Sequence, residues 1–173
     1  MRKFLKITAI IIAIPVGLLV LLVAAAAILY QTADMKEPAI EPARISHYAL
    51  TDSAGCRIYN GNILRRNSDG LWEMYIRGDA FARGEAAGIL ADSLLYYQES
   101  VFVDQIRDFI PSESYLNFLR YIIILFNRDL GNNVTEEYRT EIAAMARSCT
   151  HEYDFIGTPY ERQLNYHAAH DIG

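Results

Sequence analysis

A long uncharged stretch at the N-terminus most strongly limits what this chain can fold into. Residues 7–30 contain no charged side chain, and Arg2, Lys3 and Lys6 come before them. An α-helix rises ~1.5 Å per residue and a bilayer core is ~30 Å thick, so ~20 apolar residues suffice to cross it. We therefore predict that residues 1–30 form a basic end and a transmembrane anchor that contacts lipid.

The basic residues also predict the orientation of this helix. Positive charges precede the apolar stretch, and the next basic residue is Lys36. Membrane helices keep their positively flanked end in the cytoplasm. We expect a single-pass protein with a cytoplasmic N-terminus and a periplasmic or extracellular domain. A signal peptide cleaved near Ala24–Ala27 is the alternative, although its apolar core would be only ~7–15 residues long. With either a retained anchor or a cleaved signal peptide, the rest of the chain is translocated across the membrane.

The part after the anchor is acidic. It holds all 21 acidic residues and 13 of the 16 basic ones, so its formal net charge is −8. Such a charge argues against nucleic acid as a partner. Residues 31–46 include Pro38 and Pro42 and predict a stalk, and residues 47–173 are long enough for one domain.

The region after the stalk predicts strands first and helices afterwards. The Asn60-Gly61 pair between two short apolar runs is typical of a β-hairpin with a type I′ turn. The side chains of residues 71–77 alternate between a mainly apolar and a mainly polar face, which predicts a third strand. Helices are predicted at residues 79–97, 101–109, 113–130, 135–146 and from 159 onward. The expected class is therefore α+β and helix-rich, with three short strands.

Capping residues and small residues mark several of these helices. Asp79 is a good N-cap, and Thr158 followed three residues later by Glu161 forms a capping box. Gly84 and Gly88 share one helix face, although each glycine costs ~1 kcal/mol against alanine inside a helix. We expect another backbone to approach this face closely.

The predicted third helix contains an apolar segment, Tyr121–Phe126, between Arg120 and Arg128. The segment is far too short to cross a bilayer. We expect it to be buried in a core or against a partner. A non-enzymatic anchored domain that binds a partner through Tyr115–Phe126 is the alternative to an enzyme.

Three polar residues near the C-terminus could carry chemistry. His167, His170 and Asp171 lie at positions i, i+3 and i+4, so a helix places them on one face. They could line a pocket, act as a small metal-dependent hydrolase site, or form a plain helix end. Because no further ligand occurs at a defined spacing, we assign neither a metal nor a cofactor.

The two cysteines, Cys56 and Cys149, allow two readings. They could pair in an oxidising compartment or remain two separate thiols. A chain break between Gly55 and Cys56 would create a cysteine with a free α-amine as base, but the dipeptide alone is weak evidence.

One segment resembles a known family. Residues 78–88 read Gly-Asp-Ala-Phe-Ala-Arg-Gly-Glu-Ala-Ala-Gly. They resemble the opening motif of the acyl-CoA:6-aminopenicillanic acid acyltransferase-like family, through Gly78, Asp79, Arg83, Gly84 and Gly88. Residues 138–146, with Glu-Ile-Ala inside, resemble the later helix that leads toward that family's active site. The resemblance spans Leu71–Ala146, under half of the chain.

The resemblance implies the fold and chemistry of N-terminal nucleophile hydrolases. These have a four-layer αββα fold and a precursor that cleaves itself before a cysteine. The new N-terminal cysteine attacks the carbonyl of an amide or thioester, so the implied substrate is a small acyl-amide or acyl-thioester. Cys149 comes directly after Ser148 and lies too close to the end of its predicted helix to begin a core strand. We therefore do not assign Cys149 the role of nucleophile. We expect the nucleophile after Gly173, in the rest of the same hydrolase chain, so that residues 47–173 are an incomplete N-terminal part that is inactive alone.

Overall fold

The computed structural model describes the backbone of residues 2–32, 35–41 and 48–170, and the side chains of residues 11–31, 35–41 and 48–168. The class is α+β, as predicted, with mostly helices and one small sheet. The elements in chain order are helix α1 (Arg2–Thr32), strands β1 (Thr51–Ser53), β2 (Cys56–Tyr59), β3 (Asn62–Arg66) and β4 (Trp72–Tyr75), helices α2 (Ala80–Leu90), α3 (Asp92–Phe109), α4 (Glu113–Phe126), α5 (Leu130–Asn133) and α6 (Glu136–Ala146), a 3₁₀ turn (Asp154–Ile156) and helix α7 (Pro159–His170).

Helix α1 contains the predicted apolar stretch. Its segment Ile11–Gln31 has a mean hydropathy of 2.9 and contains no fully buried residue. Within the described part of the chain, this is the one helix that is long and apolar enough to cross a membrane. At its end, the ring of Tyr30 packs on that of Tyr121 in α4, with the two centroids 5.3 Å apart.

The sheet is an antiparallel meander in the order β1-β2-β3-β4. The turn between β2 and β3 is of type I′, as predicted, because Asn60 and Gly61 both have positive φ angles, 46° and 74°. The prediction of three strands was wrong, since β1 adds a fourth that pairs with β2. This strand is short and exposed, so no alternation of apolar side chains marks it.

One face of the sheet packs on α2. Tyr59 of β2 and Leu64 of β3 form a core cluster with Ala86 and Leu90. The Tyr59 hydroxyl donates a hydrogen bond of 3.1 Å to the buried carboxylate of Glu85. The sheet is thereby attached to the helix that carries the glycine-rich motif.

The helix predicted over residues 79–97 is interrupted, which corrects the prediction. It breaks at Ala91, where ψ is 16°, and α3 then continues without a gap through the two predicted segments to Phe109. Arg57 of β2 explains the break. Its guanidinium donates to the Leu90 carbonyl at 2.5 Å and pairs with Asp92 at 2.6 Å. A carbonyl at the end of α2 thereby obtains a hydrogen-bond donor from the strand, where a continuous helix would supply its own.

A second core joins the later helices. Ile124 of α4, Ile142 of α6 and Tyr160 of α7 meet there, and Met35 is buried among them. Residues 35–41 belong to the predicted stalk, but this part lies against the domain and is no free spacer. The Lys36 carbonyl also accepts a hydrogen bond from Arg139. Residues 33–34 and 42–46 of the predicted stalk lie outside the described residues.

Helix α4 is only half buried by the domain itself, so its apolar segment is not enclosed in the core of the described part of the chain. Leu116 and Ile124 are buried on one side, whereas Phe126 is 83% exposed on the other. The helix ends at Phe126, and Gly131, predicted just past its end, lies buried in α5.

Side-chain caps are present at the starts of α6 and α7, and the cap at Thr158 was predicted. The Thr135 hydroxyl accepts from the N–H of Tyr138 at the start of α6. At the start of α7 the Thr158 hydroxyl accepts from the Glu161 N–H at 3.3 Å, and the Glu161 carboxylate accepts from the Thr158 N–H at 2.8 Å. This is a complete capping box.

Candidate functional site

The turn before α2 is built by Gly78 and Asp79. Gly78 has a φ of 125°, which side-chain-bearing residues rarely adopt, and a Cβ there would lie 2.9 Å from that of Ala82. Asp79 accepts a hydrogen bond of 3.0 Å from the Ala82 N–H. It therefore caps α2, as predicted.

Gly84 and Gly88 bring α2 against the backbone of α6. A Cβ on Gly84 would overlap the carbonyl oxygen of Glu141 and would lie 2.9 Å from the Cβ of Ala144. A Cβ on Gly88 would lie 2.7 Å from the carbonyl oxygen of Met145. The predicted close approach is confirmed, and the approaching backbone is that of a helix.

Arg83 ties the same two helices together by charge. Its Nη2 lies 2.7 Å from Glu141 and 2.8 Å from Glu137, both on α6. Its Nη1 donates to the Gly78 carbonyl at 3.1 Å. The hydrogen bond to Glu141, and after it the one to Glu137, raises the pKa of Arg83. The guanidinium therefore stays charged and couples the start of α2 to α6.

A cavity of about 680 Å³ lies next to this helix pair. Gly84 and Ala87 of α2 form part of its wall, and His167 of α7 lies in the lining. Its remaining lining residues come from α4's end, α5, α6 and α7: Asn127, Leu130, Asn133, Val134, Thr135, Tyr138, Glu141, Ile142, Met145, Leu164 and Ala168. The cavity is mostly apolar, and Glu141, His167 and Tyr138 are the ionisable groups in its lining.

His167 is held by its own helix. Its Nδ1 lies 2.8 Å from the backbone carbonyl oxygen of Gln163. Because a carbonyl can only accept, Nδ1 carries the hydrogen in this contact. The Nε2 of the neutral ring is then left as a hydrogen-bond acceptor. The side chain of His170 and the whole of Asp171 lie outside the described residues.

A buried ion pair that the sequence did not predict lies between α3 and α7. Glu99 and Arg162 are each 1% exposed in their side chains, and Nε of Arg162 lies 2.8 Å from the Glu99 carboxylate. Arg162 also donates to Asp154 at 2.9 Å and to the carbonyls of Thr150 and Gly157 at 2.5 and 2.7 Å. The guanidinium thus joins α3, α7 and the loop between α6 and α7.

Cys149 is buried beside this ion pair. Burial, reinforced by the negative charge of Glu99, raises the pKa of Cys149 to about 12. Burial likewise raises the pKa of Tyr166. A thiol must be deprotonated to attack a carbonyl, so Cys149 is in the wrong environment for a nucleophile.

Cys56 and Cys149 are both free thiols, which excludes the disulfide that the sequence left open. Cys56 is half-buried in β2 and follows a turn in which Ala54 and Gly55 have positive φ angles. Among the side chains that the structure describes, no group of three or more His, Cys, Asp and Glu residues is arranged to hold a metal ion.

Comparison with protein families, with curated proteins and with solved structures finds no match to this chain. The geometry brings the two motif segments, residues 78–88 and 138–146, onto each other.

Proposed function

We propose that this chain supplies the N-terminal part of a membrane-anchored, self-processing cysteine hydrolase or acyltransferase of the N-terminal nucleophile type. One observation carries the proposal. The two segments that resemble the acyltransferase-like family are distant in sequence but pack as one unit, through Gly84 against the Glu141 backbone and through the Arg83–Glu141 ion pair.

This packing supports the proposal because the resemblance was read from two separate stretches of sequence. Arg83 and Glu141 are 58 positions apart. Two segments that matched the family by chance would have no reason to pack together. Two parts of one family fold are expected to be in contact. In this proposal Gly78, Asp79, Arg83, Gly84 and Gly88 are structural, and His167, His170 and Asp171 line the pocket. The complete enzyme has the four-layer αββα fold.

The chemistry of the proposal uses a cysteine after Gly173. Self-cleavage before that cysteine frees its α-amine, which takes the thiol proton as the sulfur attacks an acyl carbonyl. A C–S bond forms, and the amine or thiol leaving group departs with the proton. Water or a second nucleophile then takes the acyl group, and oxyanion donors stabilise each intermediate. The substrate class is a small acyl-amide or acyl-thioester, and no cofactor takes part.

In this proposal the enzyme works outside the cytoplasm. Helix α1 anchors it through residues 7–30, and Arg2, Lys3 and Lys6 keep the N-terminus in the cytoplasm. The catalytic domain then faces the periplasm or the cell exterior.

Intact-mass measurement of the product of the complete reading frame tests the proposal. The wild type is expected to yield two fragments whose masses sum to that of the precursor plus one water, the second beginning with cysteine. Changing the first cysteine after Gly173 to alanine should leave one uncut chain, and Cys149→Ala is the matched control that should still be cut. One uncut species in the wild type, or cutting that survives the first change, would contradict the proposal.

A further inference from the structure

We propose that the exposed apolar face of α4 lies in the lipid interface beside α1. The face consists of Tyr115, Phe118, Ile122, Leu125 and Phe126 and is called the aromatic face below. The domain would then contact the bilayer through two helices. This inference rests on the membrane anchor of the proposed function and is independent of the hydrolase chemistry.

The aromatic face is continuous and uncharged. Its residues follow one another at spacings of three, four, three and one, which places them on one side of a helix. Tyr115, Phe118 and Phe126 are 50%, 56% and 83% exposed. The rings of Tyr115 and Phe118 stack with centroids 6.2 Å apart. Ile122 and Leu125, between these rings, are half-buried. The exposed aromatic side chains along this helix face need a cover.

The opposite side of α4 is already occupied by the domain. Leu116 and Ile124 are buried there. Arg120 also points to this side and pairs with Glu161 of α7 at 2.7 Å. Helix α4 therefore has apolar side chains on its domain side and on its free side, and a helix that is apolar on both sides is normally covered on both.

The position of α1 indicates that lipid covers the aromatic face. The uncharged stretch of residues 7–30 has 24 residues, which at ~1.5 Å per residue suffices to cross the ~30 Å hydrocarbon core, and Tyr30 is its last residue. Tyr30 therefore lies at the edge of that core. Its ring is 5.3 Å from the ring of Tyr121, which borders the aromatic face. Tyrosines concentrate at this depth of a membrane.

The charge of the helix indicates which lipid feature it recognises. The aromatic face has no basic residue, so apolar burial and not attraction to anionic headgroups supplies the binding. Contact should form with phosphatidylcholine alone and should be insensitive to salt.

Quenching of tryptophan fluorescence by brominated lipids tests the inference on the full chain. The chain has a single tryptophan, Trp72 in β4, so Trp72→Phe provides a silent background. In phosphatidylcholine vesicles, Phe118→Trp in this background should lose fluorescence most to lipids brominated near the headgroup end of the acyl chain. Phe126→Trp repeats the measurement at the most exposed position of the face, in case one variant fails to fold.

Two controls separate the anchor from the face. Leu22→Trp in the same background should be quenched most by lipids brominated near the chain ends, and unaltered Trp72 should not be quenched. Quenching of Leu22→Trp without quenching at positions 118 and 126 would overturn the inference and leave the anchor standing.

Other outcomes also decide the question. Blue-shifted emission at positions 118 and 126 without lipid quenching would mean that a second copy or another protein covers the face, and would overturn the inference. Absence of quenching in every variant, Leu22→Trp included, would overturn both the anchor and the inference. The hydrolase chemistry is judged separately, by the intact-mass measurement.

Discussion

At Gly84, helix propensity favours alanine, whereas close packing against α6 favours glycine. Inside a helix, glycine is less favourable than alanine by ~1 kcal/mol. A Cβ at this position would nevertheless overlap the carbonyl oxygen of Glu141, which is backbone and cannot rotate away. The closeness of α2 and α6 therefore depends on a missing methyl group.

The variant Gly84→Ala should destabilise the protein, since overpacking typically costs about 1–3 kcal/mol and outweighs the gain in helix propensity. Urea unfolding of the chain in detergent micelles measures the effect. Ala82→Gly in the same helix is the control for propensity and should cost ~1 kcal/mol. A raised unfolding midpoint for Gly84→Ala would show that the two backbones do not touch here.

Cys149 should resist alkylation in the folded protein. With a pKa of about 12, roughly one thiol in 10⁴ is ionised at about pH 8, and the side chain is buried as well. Mass spectrometry after brief iodoacetamide treatment should find Cys149 modified only in urea. Native-state labelling of Cys149 as fast as in urea would contradict the burial described above. Cys149→Ala identifies its peptide.

Some single residues could be predicted from sequence and others could not. Asp79, Thr158 and the glycine spacing act within one helix or turn, so their local pattern was sufficient. The Glu99–Arg162 pair joins positions 63 apart, and its burial depends on the meeting of α3 and α7. No local pattern contains that information.

At the level of elements, the boundary between α2 and α3 depends on a side chain from the sheet. Arg57 is mostly buried, donates to the Leu90 carbonyl and pairs with Asp92. The hydrogen bond to Asp92 is the main cause of the raised pKa of Arg57 and of the lowered pKa of Asp92. The sheet and the helix break therefore stabilise each other.

Replacing Arg57 by methionine should cost about 1–3 kcal/mol, because the Leu90 carbonyl loses its donor in a partly buried place. The matched control is Arg65→Met, which removes an exposed pair with Glu73 and should lower the urea midpoint by much less than Arg57→Met does. Urea midpoints of both variants give the comparison. Equal shifts of the urea midpoint would mean that Arg57 contributes no more to stability than the exposed Arg65.

Turn chemistry explains which strands could be predicted. Asn60-Gly61 is a strong hairpin signal because both residues tolerate positive φ angles. The turn before β2 has the same backbone, but one of its residues is Ala54, for which a φ of 49° is unusual. β1 was therefore missed, although the hairpin beside it was found.

At the level of the whole molecule, the chain has an apolar helix attached to an α+β domain, with a part of the predicted stalk packed into the core. The sequence was sufficient for the class and the helix count was nearly right. It could not show that Met35 is buried or that α1 meets α4, since both contacts join distant parts of the chain. It also could not show that the two family-like segments touch.

We have proposed that this chain belongs to an enzyme whose nucleophile is an N-terminal cysteine beyond Gly173. The decisive measurement is peptide mass mapping of the complete gene product after incubation with a small acyl-thioester. We expect an acyl group on a peptide that begins with cysteine from that later region, with Cys56 and Cys149 unmodified. Acylation of Cys56 or Cys149 instead, or of no cysteine at all, would refute the proposal.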